Sequence, residues 1–222
     1  MAGYYTDRLA AERLRRCYEI AGPAVQAYLQ AEVEHLAGMV PPDGTLLELG
    51  CGYGRVLAGL SSRTRWQLGI DTSLASLRLA REHLTGTSCH LAVMDAQRLG
   101  LTNGSFDVVA CMQNGISAFG TDPTALVREA VRIARRDGCA LFASYTAAFW
   151  PQRLAWFEQQ AAAGLIGPLD SERTGDGVII CRDGFRAVTF TAADFWRIGV
   201  ELGLVTRVYE VAGVSLCCEY RR

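Results

Sequence analysis

Apolar positions in this chain fall into short, nearly continuous runs, separated by longer stretches in which apolar residues recur every three or four positions. These runs are Thr45–Leu49, Trp66–Ile70, Cys89–Met94, Phe106–Cys111 and Cys139–Ser144. Runs of that length predict buried strands. The stretches between them predict helices at about 54–62, from Leu74 through Leu77 to Leu84, and from Asp122-Pro123 to about Arg135. Thr72 or Ser73 is the expected cap of the second of these, and Pro123 sits where its missing N–H costs least. Ahead of the first strand, residues 7–20 and 23–38 have helical periodicity, with Gly22-Pro23 as the break. Pro41-Pro42-Asp43-Gly44 and Asp137-Gly138 predict turns into the first and fifth strands.

Strands that are nearly continuously apolar and alternate with helices predict a mostly parallel sheet covered on both faces. After residue 145 the pattern changes. Residues 146–176 read as a loop and a helix rich in alanine and aromatics (Phe149, Trp150, Trp156, Phe157). Val178–Cys181 and Phe185–Phe190 flank Arg182-Asp183-Gly184, a hairpin signal. Thr191-Ala-Ala-Asp194 resembles a capping box, with Asp in place of the usual Glu or Gln, and opens a helix to about Leu202. Two strands, at about 204–210 and 214–220, end the chain around Ala212-Gly213 and predict a closing antiparallel pair.

Composition narrows the classes. With 222 residues, half of them hydrophobic, the chain suits one domain with a sizeable core. A net charge of −1 gives no general pull toward nucleic acid or an anionic membrane. The Arg13, Arg15, Arg16 cluster reads as a solvated helix face. No apolar run approaches the roughly 18 residues of a membrane span. The first residues lack the apolar core of a signal peptide, so a cytoplasmic location is expected. The eight cysteines form no C-x-x-C pair and most lie in predicted strands, which predicts buried, reduced thiols. Cys217 and Cys218 are neighbours on a strand and point to opposite faces. Every basic residue in the Lys+Arg count is arginine, which removes Schiff-base chemistry and the phosphate-binding P-loop. The three histidines, His35, His83 and His90, are not at metal-ligand spacing, and no metal is expected.

The first strand ends in Glu48-Leu49-Gly50-Cys51-Gly52-Tyr53-Gly54. Glycines at alternate positions let a ligand approach the backbone and allow positive φ. A dinucleotide loop wants G-x-G-x-x-G, but position 55 here is arginine, and Glu48 would repel a pyrophosphate. Asp71 ends the second strand, 21 positions after Gly50, where a carboxylate can accept from both ribose hydroxyls. Asp95 ends the third strand and can accept from an adenine amino group. Three acids in register with the glycine loop line the sheet edge where open α/β folds bind ligands.

In these segments the chain resembles the class I S-adenosylmethionine-dependent methyltransferases. The likeness covers Glu48–Gly54, Gly69-Ile-Asp71-Thr-Ser, Met94-Asp95-Ala96, Phe106-Asp107-Val-Val-Ala and Arg132–Gly138, in the family's order over about 45–145. The resemblance implies a Rossmann-like three-layer α/β sandwich. Its seven-stranded, mostly parallel sheet has an antiparallel last strand and helices on both faces. An N-terminal helical region precedes this core, and an insertion follows strand five. The expected organisation is one domain over 1–222, with an N-terminal helical lid (1–44), a cofactor core (45–145), a substrate-side insertion (146–190) and a C-terminal helix and strands (191–222).

The resemblance further implies S-adenosylmethionine as cofactor and S-adenosylhomocysteine as product. Gly50 and Gly52 would approach the methionine moiety, Asp71 the ribose, Asp95 and Ala96 the adenine, and the backbone at Met112 and Gln113 the sulfonium. Glu48, Cys51, Gly54 and Thr72 complete the candidate cofactor set. Asn114 and Tyr145 are candidate catalytic residues just beyond strands four and five; the alternatives are a turn residue and packing at the sheet edge. Tyr4, Tyr5, Tyr18, Phe119, Trp150 and Arg186 are candidate substrate contacts, since such flanking regions form the lid in many relatives. For Phe119, Phe149 and Trp150 core packing is the alternative, and for Arg186 an exposed position. No histidine is placed as a general base. The expected reaction is methyl transfer to an N, O or S nucleophile of a small molecule by in-line displacement. The chain has Gln113-Asn114-Gly115-Ile116 where amino-directed nucleic-acid methyltransferases carry Asn/Asp-Pro-Pro-aromatic, so a nucleic-acid substrate is not expected. A monomer or homodimer without a membrane partner fits this picture. Three alternatives stay open: a non-catalytic sensor or partner subunit that binds S-adenosylmethionine, a nicotinamide oxidoreductase, and a thiol or metalloid acceptor served by Cys17, Cys111 and Cys181.

Overall fold

The computed structural model describes residues 3–120 and 122–222; Met1 and Ala2, the first residues of the expected N-terminal lid, lie outside them. The core strands are β1 (Thr45–Leu49), β2 (Trp66–Asp71), β3 (Cys89–Val93), β4 (Phe106–Cys111) and β5 (Ala134–Tyr145). A hairpin of β6 (Val178–Ile180) and β7 (Arg186–Val188) follows, and then β8 (Val205–Val211) and β9 (Ser215–Arg221). The helices are α1 (Tyr4–Asp7), α2 (Ala11–Glu19), α3 (Pro23–Met39), α4 (Arg55–Leu60), α5 (Leu74–His83), α6 (Pro123–Ile133), α7 (Trp150–Ala162) and α8 (Ala192–Leu202). None of them is long and apolar enough to cross a membrane.

Seven strands form one sheet in the order β3-β2-β1-β4-β5-β9-β8. β9 pairs antiparallel with both β5 and β8, so it alone runs against the others. Alternation along each strand divides the side chains between two cores. Leu47, Val109, Phe142 and Cys218 face one side and pack on α6 and α8 through Leu126, Val127, Ala130, Phe195 and Ile198. Leu46, Val108, Leu141 and Cys217 face the other and pack on α3, α4 and α5 through Val33, Leu36, Leu57, Leu77 and Leu84. The result is the expected three-layer sandwich. The cysteines are all unpaired; seven are buried and Cys89 is partly so.

A third cluster sits beyond the sheet. It joins the N-terminal helices (Cys17, Val25, Tyr28, Leu29) to α7 (Trp156, Phe157) and the hairpin (Ile179, Phe185, Ala187). The Trp156 Nε1–H donates to the Cys17 carbonyl at 2.8 Å, and the Tyr4 hydroxyl to Asp183 Oδ2 at 2.5 Å. The segments flanking the cofactor core therefore pack on each other.

Three expectations need correcting. The helix read over 7–20 begins only at Ala11, because the chain turns at Arg8–Ala10 after the short α1 and drives Leu9 into the third cluster. Leu74 has the helical spacing of Leu77 and Leu84 but opens α5 on its exposed side. The fifth strand begins five residues early. Ala134 already pairs with Phe106, and Asp137-Gly138 belongs to an irregularity in the ladder rather than to a turn before it. Gly138 fits there because a Cβ would lie 2.4 Å from the Asp107 carbonyl oxygen.

Candidate active site

Five strand ends converge on one edge of the sheet, and the glycine loop is held there by backbone hydrogen bonds. Cys51 N–H donates to the Ile70 carbonyl, and Gly54 N–H to the Cys51 carbonyl, each at 2.9 Å. Gly50, Gly52 and Gly54 all have positive φ (71°, 55° and 82°), which a side chain would strain. The loop curls over β2, and Gly52 N–H donates to Asp71 Oδ2 at 2.9 Å. Asp71 Oδ1 accepts from Ser73 N–H at 2.7 Å. Each carboxylate oxygen thus has one backbone donor and capacity to accept more. Burial raises the Asp71 pKa, and the N–H groups of Ser73, Gly52 and Thr72 pull it back.

Glu48 lies beneath the loop. It is buried, its Oε2 has no hydrogen-bond partner among the described residues, and burial pushes its carboxyl up to about 8. Nearby Arg55 opposes that shift and Asp71 adds to it. Arg55 Nη2 donates to Gln113 Oε1 at 2.9 Å, and the guanidinium lies 5.2 Å from the centre of the Tyr18 ring. After β4 the chain passes through two left-handed residues, Gln113 and Asn114 (φ 55° and 57°). Non-glycine residues held in this region mark a backbone fixed by its surroundings.

These elements enclose a cavity of about 460 Å³. Among the sequence-predicted residues, Glu48, Gly50, Cys51, Gly52, Asp71, Thr72, Asp95, Met112 and Gln113 line it, as do Asn114, Tyr145, Tyr5, Tyr18 and Phe119. The donor set suits a cofactor with a cationic end, a ribose and an adenine. Glu48 offers an uncompensated buried carboxyl, Asp71 has lone pairs to spare, and Gly50 and Gly52 leave a shallow cradle. A Cβ at Gly50 would lie 3.2 Å from the Phe119 ring, and one at Gly52 would lie 3.0 Å from Leu14 Cδ2.

Five predicted residues are not on the cavity wall. Gly54 caps α4, and a Cβ there would lie 2.8 Å from Leu84 Cδ1, so the absence of a side chain serves packing. Ala96 is buried in the core beside α6. Tyr4 reaches outward to Asp183, Trp150 packs against the third cluster, and Arg186 is exposed on β7. Asn114 borders the cavity, but both polar ends of its side chain are engaged within the protein. Nδ2 donates to the Val188 carbonyl at 2.9 Å and Oδ1 accepts from Ser144 Oγ at 2.8 Å, which fastens the hairpin to the sheet. Tyr145 is buried against Tyr28, with ring centres 4.9 Å apart, and burial raises its hydroxyl to about 12.

The sequence reading missed Arg153, Gln160, Trp156 and Phe157 as lining residues, and Arg55 as a partner of Gln113. A signal for the first two was present. Trp150, Arg153, Trp156, Phe157 and Gln160 share one helix face by spacing, so an arginine and a glutamine interrupt an apolar stripe. No histidine is among the lining residues.

The model of a family described as "Methyltransferase domain" matches residues 46–138, which are the segments that build this site. The ubiquinone biosynthesis O-methyltransferase of Thiobacillus denitrificans is 29% identical over 102 residues, covering 45% of this chain and 43% of that protein. The chain therefore matches less than half the length of this curated relative. Among solved structures, a protein of Pyrococcus horikoshii OT3 superposes with a TM-score of 0.67 at 18% identity, covering 91% of this chain and 93% of that one. A SAM-dependent methyltransferase from Methanosarcina mazei gives 0.61 at 19% identity, covering 84% and 96%. These two likenesses extend the shared fold over nearly the whole chain. With the glycine loop, the strand-end acids and the matched segment all on one sheet edge, residues 46–138 carry the methyltransferase domain that the family model describes, and the chain has the fold of these solved structures.

Proposed function

We propose that this protein transfers the methyl group of S-adenosylmethionine to a nucleophilic oxygen, nitrogen or sulfur of a small molecule, by in-line displacement. The observation that carries this reading is one continuous cavity of about 460 Å³. It runs from the glycine loop, past the end of β4, to a wall of Tyr145, Trp156 and Phe157. That volume lies in the range of small-molecule sites, roughly 300–1,000 Å³. Leu14 and Tyr18 of α2 and Trp156 of α7 cover it, so the flanking segments act as a lid over the acceptor.

Bound S-adenosylmethionine supplies an already activated methyl group, and the protein's part is orientation and exclusion of water. Orientation alone contributes roughly 7–11 kcal/mol in well-aligned systems. Asp71 and Asp95 are the acceptors for ribose and adenine, Glu48 faces the cationic end, and Arg55 is the cation nearest the loop. The phenols on the wall are poor bases at neutral pH, because burial raises Tyr5, Tyr18 and Tyr145 above the ordinary value. The acceptor is therefore either nucleophilic at neutral pH or assisted by a carboxylate of the wall rather than by these phenols. An oxygen acceptor is the first to test, since the matched curated relatives are O-methyltransferases.

Calorimetric titration with S-adenosylmethionine and S-adenosylhomocysteine tests the cofactor, and absence of binding by both refutes the proposal. Transfer of a labelled methyl group to a panel of small phenols, amines and thiols tests the reaction. Tight cofactor binding with no transfer across the panel favours a sensor.

A further inference from the structure

We propose that Arg153 anchors a carboxylate on the methyl acceptor, so that the substrate is a small, flat, anionic molecule. The inference rests on the methyl-transfer reading and names the substrate class of the same site.

Arg153 has no exposed surface, yet it borders the cavity. Its Nη1 is committed to the protein: it donates to the Gly177 carbonyl at 2.9 Å and to Thr189 Oγ1. Nε and Nη2 are buried and have no hydrogen-bond partner among the described residues. These two groups share one edge of the guanidinium. Their N–H bonds point the same way, which is the side-on fork that grips a planar carboxylate. An arginine is rarely buried without a paired anion, because the desolvated charge is costly. Here no Asp or Glu of the described residues forms an ion pair with it. The titratable groups that face it are the phenols of Tyr145, Tyr5 and Tyr28.

The rings around it are in cation–π range but supply no counter-charge: Tyr145 lies at 4.6 Å, Phe157 at 5.6 Å and Trp150 at 5.7 Å. Nη1 therefore fixes the guanidinium, and its other edge is left without an anion. The cofactor is a poor candidate for that anion. Its contacts lie at the ends of β1, β2 and β3, and Arg55 already stands beside the glycine loop. Arg153 lies with Tyr145 at the end of β5. Placing a cation on a cavity that also admits a sulfonium is favourable when an anion sits there as well. The aromatic wall favours a flat body behind that anion.

The test uses the full-length protein and two probes of one shape, benzoate and benzamide, titrated calorimetrically at millimolar concentrations with and without S-adenosylhomocysteine. Wild type is expected to bind benzoate at least tenfold more tightly than benzamide. Arg153→Met is expected to lose that preference, and its affinity for S-adenosylhomocysteine should stay within about twofold of wild type, because the cofactor's partners are untouched. Arg153→Lys keeps the charge without the fork and is expected to bind benzoate more weakly than wild type; it serves if the methionine variant fails to fold. Equal or no binding of the two probes by wild type overturns the proposal. So does an unchanged preference in either variant, or a loss that falls on S-adenosylhomocysteine instead of benzoate. If wild type binds no S-adenosylhomocysteine, the methyltransferase reading fails, while the probe comparison without cofactor still decides the role of Arg153.

Discussion

Replacing Glu48 with glutamine should make the cofactor-free protein more stable at neutral and alkaline pH while weakening its hold on the cofactor. The side chain is buried under the glycine loop, one carboxylate oxygen lacks a partner, and burial raises its pKa from 4.5 to about 8. The sign follows from linkage. Below about pH 4.5 the carboxyl is protonated in both folded and unfolded chains and costs nothing. As pH rises, the unfolded chain releases the proton but the folded one keeps it, and stability falls until the folded group also ionises near pH 8.

At about 1.4 kcal/mol per pH unit, the whole interval is worth at most about 5 kcal/mol. Water entering the cavity lowers this, so about 2 kcal/mol between pH 5.5 and 7.5 is the working expectation. Glutamine has the same shape and no charge, so Glu48→Gln should lack this slope. Urea unfolding followed by tryptophan fluorescence at several pH values measures it. Parallel pH profiles for variant and wild type would refute the reasoning. With S-adenosylhomocysteine present the order should reverse, because a cationic amino group restores the ionised form of Glu48. The expected loss of affinity for Glu48→Gln is about tenfold or more.

Asp71→Ala removes an acceptor that both shapes the loop and is available to a ribose; S-adenosylhomocysteine affinity measured by calorimetry should fall about tenfold to a hundredfold. Asp107→Asn tests the opposite end of the sheet. There the carboxylate accepts from the N–H and hydroxyl of Thr45, at 2.7 and 2.8 Å, and pairs with Arg135. The hydrogen bonds of Thr45 and Arg135 outweigh burial and hold its pKa below the usual value. The stabilisation is therefore present above the ordinary carboxylate range and lost as pH falls through the depressed pKa. The variant should lose about 1–3 kcal/mol at neutral pH and much less in acid, with cofactor affinity unchanged. Gly138→Ala should cost about 1–3 kcal/mol in urea unfolding, because the new methyl group meets the Asp107 carbonyl. Trp156→Phe removes the hydrogen bond to Cys17 that joins α7 to α2. It should lower stability by about 1 kcal/mol and speed hydrogen exchange in α2 before the sheet.

Local patterns in the sequence were enough to determine the sandwich and the sheet edge that carries the glycine loop and the strand-end acids. Strands such as Phe106–Cys111, apolar except for Asp107, read as interior, and most of the gaps between core strands leave room for a helix. Glycines at alternate positions and acids at strand ends are likewise legible, because the loop and the strand ends are short-range structures whose geometry depends on the residues that form them. The sequence also carried the capping box at Thr191 and Asp194 and the opposite-facing Cys217 and Cys218, since both depend on neighbours three residues apart or fewer.

What lies beyond the sheet depended on contacts between residues far apart in the chain. Leu9 breaks a periodic helix because the third cluster gives it a place to be buried. Ala134 joins β5 because Phe106 of β4 is beside it, which no local turn signal reveals. Asn114 looked like a residue for the substrate, but its partners are Val188 and Ser144, 74 and 30 positions away. Arg186 stood out as a cation on a hairpin, and the fold leaves it in solvent. Arg153 was hidden in an aromatic helix and became the desolvated charge of the cavity only when the N-terminal helices and the hairpin closed around it. Sequence patterns determine which groups share a strand or a helix face; burial and pairing are set by distant parts of the chain, and they decide which charges are left for a ligand.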